Sequence, residues 1–319
     1  MKYYFCTLFD KNYLAKGLNL YSSLLKSINS FHLWILCMDS ITLEILQKMN
    51  LSNVTLIALI SFEDSKLRMI KKGRTNEEYC WTCTPSLPLY ILKKYINIDH
   101  IGYLDADLFL YSDITPIFQE WGNKSILIIP HRFPKYLQFK EKMSGKFNVS
   151  MVLFKRDKNS IDCLTWWRDK CIEWCFRKYD DGRLGDQLYL NSWPKLFKGV
   201  HVLQNHTAGV APWNILNYNL SIKNNNIYIN NKALIFYHFH GFSKFIDGTY
   251  KYAHGYELTS KVRKLIYKPY IDMLNLAYRK IQNINPHFTF CDQEPDSLKS
   301  NFRDWLFVMK LKFLRFITV

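Results

Sequence analysis

The 319-residue sequence predicts an α/β domain, a Rossmann-like and mainly parallel sheet flanked by helices, with a C-terminal helical appendage. Three observations predict it. Short apolar runs without polar alternation recur through residues 1–250, as strands buried on both faces require. Stretches with apolar residues at helical spacing separate them. Aspartates stand directly after several of the runs, where a parallel sheet collects its ligands.

The elements follow in order. YYFCTLF at 3–9 is a strand closed by Asp10, and 14–25 is a helix. FHLWILCM at 31–38 is a second strand ending at Asp39, followed by a helix over 42–49 and a third strand at 54–59. A helix containing 87–95 leads into the strand 101–104, which stops at Asp105. Strands are expected near 125–129 and 149–154, then a Trp-rich helix over 161–177 and another helix opening in 180–189. An Asn-rich patch at 223–231 suggests a hairpin, and LIFYHF at 234–239 is a late strand. The division is therefore an α/β domain over 1–250 and a helical region over 251–319.

Composition narrows the function. Hydrophobic residues make up 48% of the chain, ample for a core, and the net charge of +16 suits anionic partners such as nucleotides, nucleic acid or an acidic membrane surface. Nucleic acid is disfavoured, because the aromatics lie in apolar runs rather than among lysines. Eight scattered cysteines and the missing basic-then-apolar leader point to a reducing cytoplasm. Cys80 with Cys83, and Cys171 with Cys175, are expected to be small buried hydrophobes rather than zinc ligands.

The chemistry gathers in two places. In HIGYLDADLFLYSD, at 100–113, Asp105 and Asp107 repel each other unless a cation lies between them. A hard divalent ion, Mg²⁺ or Mn²⁺, solves that problem and leaves positions for phosphate oxygens; the alternative is a solvated turn. YHFHGFSKF, at 237–245, adds two imidazoles, a glycine permitting close backbone approach and the point charge of Lys244. Two carboxylates and an imidazole would hold the metal; the metal and the lysine would hold a diphosphate.

With these motifs the sequence resembles the GT-A-type nucleotide-sugar glycosyltransferases, specifically the retaining family 8. Asp10-Lys11-Asn12-Tyr13, Leu104-Asp105-Ala106-Asp107, Phe147-Asn148-Val149-Ser150, Asp186-Gln187-Leu188-Tyr189-Leu190-Asn191 and His238 to Lys244 occur in that family's order. The resemblance implies that Asp10, Asn12 and Tyr13 line a uridine pocket. It implies that Asp105, Asp107 and His238 ligate the metal, with Asp105 also meeting the ribose. Gly241 and Lys244 would hold the diphosphate, while Asn148, Asp186 and Gln187 face the donor sugar, Gln187 nearest the anomeric carbon. The expected route is same-face attack in which the leaving phosphate accepts the acceptor's proton, with Asp186 as the only nearby carboxylate to test as a nucleophile; His240 is structural.

Two positions depart from the family. Its basic donor contact falls near Tyr90, with Arg74 as a substitute from another backbone position, and its usual strand glycine is Ser150. The implied reaction moves a hexose or N-acetylhexosamine from a UDP-sugar to a hydroxyl of a surface glycan, such as lipooligosaccharide, O-antigen or capsule, with Mn²⁺ or Mg²⁺ and with retention. An inverting GT-A enzyme would instead need a carboxylate base by the acceptor, for which Glu173 and Asp180 are the candidates. A non-catalytic nucleotide-sugar-binding assembly subunit is the alternative of a different class. His131, Arg132, His206, Trp213 and Asn214 are candidates for the acceptor side.

The chain closes with WLFVMKLKFLRFITV, preceded by SNFRD. Lys310, Lys312, Arg315 and upstream Arg303 interleave with aromatic and aliphatic residues, a pattern that suits a helix lying in a membrane interface or, alternatively, a core helix. The expected setting is the cytoplasmic, inner face of a bacterial plasma membrane, with a glycan or lipid-linked oligosaccharide as acceptor.

Overall fold

A computed structural model describes residues 1–245, 247–288, 309–311, 313 and 315. Seven strands form the main sheet in the order β3-β2-β1-β4-β7-β6-β8. They are β1 (Tyr3–Phe9), β2 (Phe31–Cys37), β3 (Val54–Ala58), β4 (His100–Leu104), β6 (Ile126–Pro130), β7 (Phe147–Lys155) and β8 (Val200–Val202). β5 (Leu108–Leu110) follows β4 and pairs outside this sheet. The β1–β2, β2–β3, β1–β4 and β6–β8 pairs are parallel, and β7 runs antiparallel to both its neighbours. The sheet is therefore mixed, with a parallel half that matches the expectation.

The apolar runs are explained by which face each residue meets. Leu33 and Ile35 of β2, and Leu127 and Ile129 of β6, enter one core cluster, whereas Trp34, Leu36, Ile126 and Ile128 enter another. Alternate side chains thus fill opposite faces, and both faces are covered. The first face is covered by the helices Leu14–Ser27 and Lys268–Ile284, the latter contributing the fully buried Tyr270 and Ile281. Buried Asn19 donates to Tyr270 O at 3.1 Å and locks the two helices together. Ser86–Lys94 and Lys158–Glu173 cover the second face.

Three local expectations are corrected. The Trp-rich helix spans Lys158–Glu173 and stops where Trp174 turns extended, so Cys175 lies outside it. No α-helix opens in 180–189: Gly182 and Gly185 adopt φ of 75° and 53°, and only the 3₁₀ turn Leu188–Ser192 forms. The late strand is the short β9 (Phe236–His238), which pairs antiparallel with β5. The Asn-rich patch does form a hairpin, Leu220–Lys223 against Asn226–Ile229, with Asn224 and Asn225 both at positive φ.

Candidate active site

Three short connections at one edge of the sheet build the site. After β4 the chain turns through Asp105 and Asp107 into β5, the Asp105 N–H donating to Ser150 O at 2.9 Å and the Leu108 N–H to Asp105 O at 3.1 Å. β9 sets His238 opposite Leu108, and the Phe239 N–H donates to Asp107 O at 3.0 Å. Phe239 stacks on Tyr270 at 3.6 Å between ring centroids, anchoring this connection to the C-terminal helix.

His238 is thereby brought to the two acids. Its Nε2 lies 3.0 Å from Asp107 and 3.6 Å from Asp105. One ligand atom from each of the three falls within 4.8 Å of the others. Among the described residues no other group of His, Cys, Asp and Glu does so. Burial pushes the Asp105 carboxyl up to about 6, helped by the charge of Asp107. Burial would raise Asp107 as well, but His238 outweighs it and holds the carboxyl below the ordinary range. Burial would lower His238, yet Asp107 and Asp105 outweigh it and raise its pKa. One imidazolium charge shared by two carboxylates leaves Asp105 uncompensated. Two hard oxygen donors and one imidazole nitrogen fit a divalent cation such as Mg²⁺ or Mn²⁺.

Around this centre the Asp10 turn forms one wall. Asp10 accepts from the Asn12 backbone at 3.0 Å and from its side-chain amide at 2.9 Å, so Asn12 is held by Asp10. Asp39 accepts from Lys11 N at 2.7 Å and caps the helix Ser40–Met49 through Thr42 N at 2.7 Å, which gives that acid a structural task. Tyr13 remains 41% exposed, open to a planar ligand.

Gly241 and Lys244 form the opposite wall. Gly241 has φ of 71°, and a Cβ there would meet His254 N at 3.0 Å, so glycine is required. Lys244 lies in the short strand pair Ser243–Lys244 and Tyr250–Lys251, its Nζ 4.7 Å from the Tyr278 ring centroid. Lys16 joins the two walls, a residue the sequence analysis passed over. Its Nζ donates to Phe242 O at 2.9 Å and lies 3.9 Å from the Tyr13 ring centroid; burial lowers its pKa, against the opposing pull of Asp107 and Asp10. The available signal was a lysine set among buried neighbours in LAKGLNL.

The third region lies beyond β7. Asn148 is buried and occupied: its amide donates to Ile129 O at 3.3 Å and its Oδ1 accepts from Ser150 N at 3.2 Å and Oγ at 2.5 Å. Asp186 is buried beside Asp105, and desolvation raises its pKa to about 7. Gln187 donates from Nε2 to Ser144 O at 2.7 Å. Arg74 lies elsewhere, stacked 3.7 Å over Phe176 and donating to Ile172 O. Tyr90 packs on Phe62 and accepts from Lys94 at 2.9 Å.

The acceptor-side candidates divide into two groups. Trp213 stands edge-on to His238 at 5.5 Å and to His131 at 5.0 Å, next to the acidic pair. Arg132 instead donates to the carbonyls of Ala208, Leu203 and Asn205, and Asn214 bonds His131 O and Gly209 O; both hold loops together. His206 stacks on Tyr218 at 5.9 Å. Glu173 pairs with Lys170 and Asp180 with Arg183, away from these groups.

Comparison with known proteins agrees with this layout. Residues 6–245 match the family model for glycosyl transferase family 8. The uncharacterized proteins YfnD and YfnF of Bacillus subtilis (strain 168) are 34% and 29% identical over 290 and 291 residues. Those alignments cover 90% and 89% of this chain, and 93% and 95% of the relatives. Among solved structures, the galactosyltransferase LgtC, in complex with donor and acceptor sugar analogs, superposes with a TM-score of 0.52 at 15% identity, covering 86% of this chain and 95% of its own. The apo form of the glycosyltransferase GlyE of Streptococcus pneumoniae TIGR4 gives 0.50 at 15%, covering 88% of this chain and 64% of its own. At such identity the likeness establishes the GT-A fold alone, but the family match spans the sheet and every connection just described: the protein is a glycosyltransferase and belongs to family 8.

Proposed function

We propose that the protein transfers a hexose or N-acetylhexosamine from a UDP-sugar to a hydroxyl of a surface glycan, with Mn²⁺ or Mg²⁺ and with retention of anomeric configuration. The observation that carries this reading is the convergence within 4.8 Å of Asp105 and Asp107, in the turn between β4 and β5, with His238 at the end of the strand paired to β5.

Asp10, Asn12 and Tyr13 bind the nucleoside, with the exposed ring of Tyr13 against the base. Asp105, Asp107 and His238 hold the cation, which when bound supplies Lewis-acid neutralisation of the diphosphate. Lys244 and Lys16 add fixed positive charge, and Gly241 lets the backbone approach the phosphates. Asn148, Asp186 and Gln187 orient the sugar.

Retention through a covalent intermediate requires a charged carboxylate at the anomeric carbon. Asp186, raised to about 7, is largely protonated below neutrality and Gln187 is an amide, so neither is an efficient nucleophile. Same-face attack, in which the leaving phosphate takes the acceptor's proton, needs no protein base and suits these side chains better. Arg74, bound at Phe176, would reach the donor only after leaving that ring. The basic aromatic tail supports a peripheral position on a membrane that bears the acceptor.

The test is a screen of UDP-sugars with Mn²⁺, following UDP release, with Asp107→Ala as control. Release from one UDP-sugar that the substitution abolishes is expected; no release or binding of any nucleotide sugar overturns the reading. Proton NMR of the new linkage then separates retention from inversion.

A further inference from the structure

The helix Lys158–Glu173 carries a second stripe besides the one it buries against the sheet. Cys163, Leu164, Trp167 and Cys171 enter the core, whereas Trp166, Lys170 and Glu173, at helical spacing, line one side of a surface cavity of about 500 Å³. The 3₁₀ turn Leu188–Ser192 lines the cavity from another side with Tyr189 and Asn191. A tight turn completes the lining: the backbones of Asp180 and Arg183 exchange hydrogen bonds of 3.0 and 2.9 Å, and Asp181 and Gly182 between them take φ of 43° and 75°, as an Asp-Gly hairpin turn requires. The volume falls within the roughly 300–1,000 Å³ usual for a small-ligand site, yet neither the cation cluster nor Asp186 and Gln187 line it.

The walls are fixed before anything binds. Tyr189 donates its hydroxyl to Trp174 O at 2.7 Å and to Lys170 O at 3.2 Å, and Trp166 stands perpendicular to it with 6.0 Å between ring centroids and Phe197 at 5.8 Å. Arg183 is held over the Trp174 ring at 4.9 Å and against Asp180 at 3.2 Å. Aromatic faces accept the C–H face of a pyranose, while guanidinium, carboxylate and amide groups pair with its neighbouring hydroxyls. Charge decides among the occupants. Lys170 and Arg183 share the lining with Glu173 and Asp181, so the cavity is balanced in a chain whose net charge is +16. Phosphate, nucleic acid or a uronate polymer gains no net attraction there, and an uncharged polyhydroxyl ligand needs none. A second copy of the chain is a poorer occupant, since charged residues are depleted in the core of protein interfaces.

We propose that this cavity binds a neutral glycan, at a unit remote from the hydroxyl that receives the sugar. The Leu188–Ser192 turn follows Gln187 directly; Asn191 Oδ1 accepts from Lys146 N at 2.9 Å, and Gln187 donates to Ser144 O at 2.7 Å. One turn and one neighbouring segment thus hold both the cavity and a residue proposed to face the donor sugar. An acceptor long enough to fill the cavity gains affinity that a single sugar unit cannot, because its second contact is made within the same complex. That role in transfer rests on the glycosyl-transfer reading; the binding of glycan does not.

The experiment titrates full-length protein, without nucleotide sugar, with chito-, malto- and cello-oligosaccharides and with oligogalacturonate in a calorimeter, and measures UDP-sugar hydrolysis in parallel. Wild type should bind at least one neutral series and prefer it to oligogalacturonate. Trp166→Ala should weaken that binding by about tenfold or more through loss of an aromatic face, and Arg183→Ala by about tenfold, the worth of one charged hydrogen bond, with hydrolysis unchanged in both. Arg183→Ala leaves the backbone bonds of its turn in place, so it tests the cavity if Trp166→Ala fails to fold. No binding of any neutral oligosaccharide, full binding by both variants, or tighter binding of oligogalacturonate overturns the proposal. So does a concentration-dependent dimer in sedimentation velocity that Trp166→Ala dissolves without any oligosaccharide binding. Absence of hydrolysis in wild type, by contrast, refutes the transferase reading and leaves the binding result standing.

Discussion

The proposed metal end and the proposed sugar end of the site are built from different materials. Asp105, Asp107 and His238 sit at the ends of two paired strands, and the backbone on either side of them is held by ladder bonds. Asp186 and Gln187 lie in turns, with the Gln187 amide donating to Ser144 O, while Asn148 stands in β7 opposite Ile129 and its side chain is tied to Ser150. The first end is rigid before any ligand arrives; the second depends on a few polar contacts that a ligand can rearrange. A cation site gains from rigidity, because the two carboxylates must be held together against their own repulsion. A sugar site gains from adjustability, because acceptors and donor sugars vary in shape.

Replacing a ligand at the rigid end breaks this comparison hardest. Asp107→Asn removes one charge from the cation site and should lower UDP-sugar turnover on the order of 10² to 10³-fold. Circular dichroism should stay unchanged, since Asp107 holds its neighbours through its backbone carbonyl. Near-normal turnover with added Mn²⁺ would show that the ion is held elsewhere.

The site as a whole should respond to pH in a defined direction. Asp105, His238 and Asp186 have folded-state pKa values above their ordinary ones, so each stabilises the fold at low pH and loses that contribution as pH rises through the folded value. For Asp105 and Asp186 the window runs from about 4 to about 6 and about 7; for His238 it begins near the ordinary 6.5 and extends upward. Asp107, shifted down, loses its contribution only in strong acid. Metal-free protein should therefore melt progressively lower from pH 5 to 8. Mn²⁺ should restore stability most at the alkaline end, by about 2.7 kcal/mol at a concentration a hundredfold above its Kd. A Mn²⁺ effect that grows on acidification would contradict the ligand set.

Two smaller substitutions sharpen the boundary between the ends. Gly241→Ala should cost about 1–2 kcal/mol in thermal unfolding from its positive φ, besides the clash with His254, and should raise the donor KM. Lys16→Met removes the cation that bridges the Tyr13 and Phe242 walls. A rise of about tenfold in donor KM with kcat nearly kept is expected, the worth of one charged hydrogen bond. A fall in kcat instead would place Lys16 at the bond being broken.

What the sequence could tell followed the same division. The convergence of Asp105, Asp107 and His238 was legible because continuous apolar runs announce buried strands, and residues at or just past a strand end have a forced location. Gly241 was legible because a histidine-glycine turn after a strand leaves little choice. Lys16 was missed because its partner is the carbonyl of Phe242, 226 residues away, and backbone carbonyls leave no mark in sequence. Arg132 and Asn214 looked like acceptor ligands, since nothing local shows that their donors are spent on distant loop carbonyls. The helix expected after 180 failed on two glycines whose positive φ was there to be weighed. The reversed β7 was hidden for a further reason: a strand buried on both faces has the same apolar composition whichever way it runs.

The mildest test lies at the sugar end. Ser150 stands where family members usually carry glycine, and its hydroxyl donates to Asn148 Oδ1 at 2.5 Å. That bond, with the Ser150 N–H at 3.2 Å, fixes which way the Asn148 amide points. Ser150→Ala removes only the hydroxyl and should cost about 1 kcal/mol, the net worth of one hydrogen bond. If the oriented amide serves the donor sugar, kcat should fall about fivefold with donor KM unchanged, the kinetic equivalent of that energy, because nucleoside and diphosphate are held at the other end. A drop in melting temperature without any change in kcat would make Asn148 a strand-edge residue only, and would move the sugar contacts to Asp186 and Gln187.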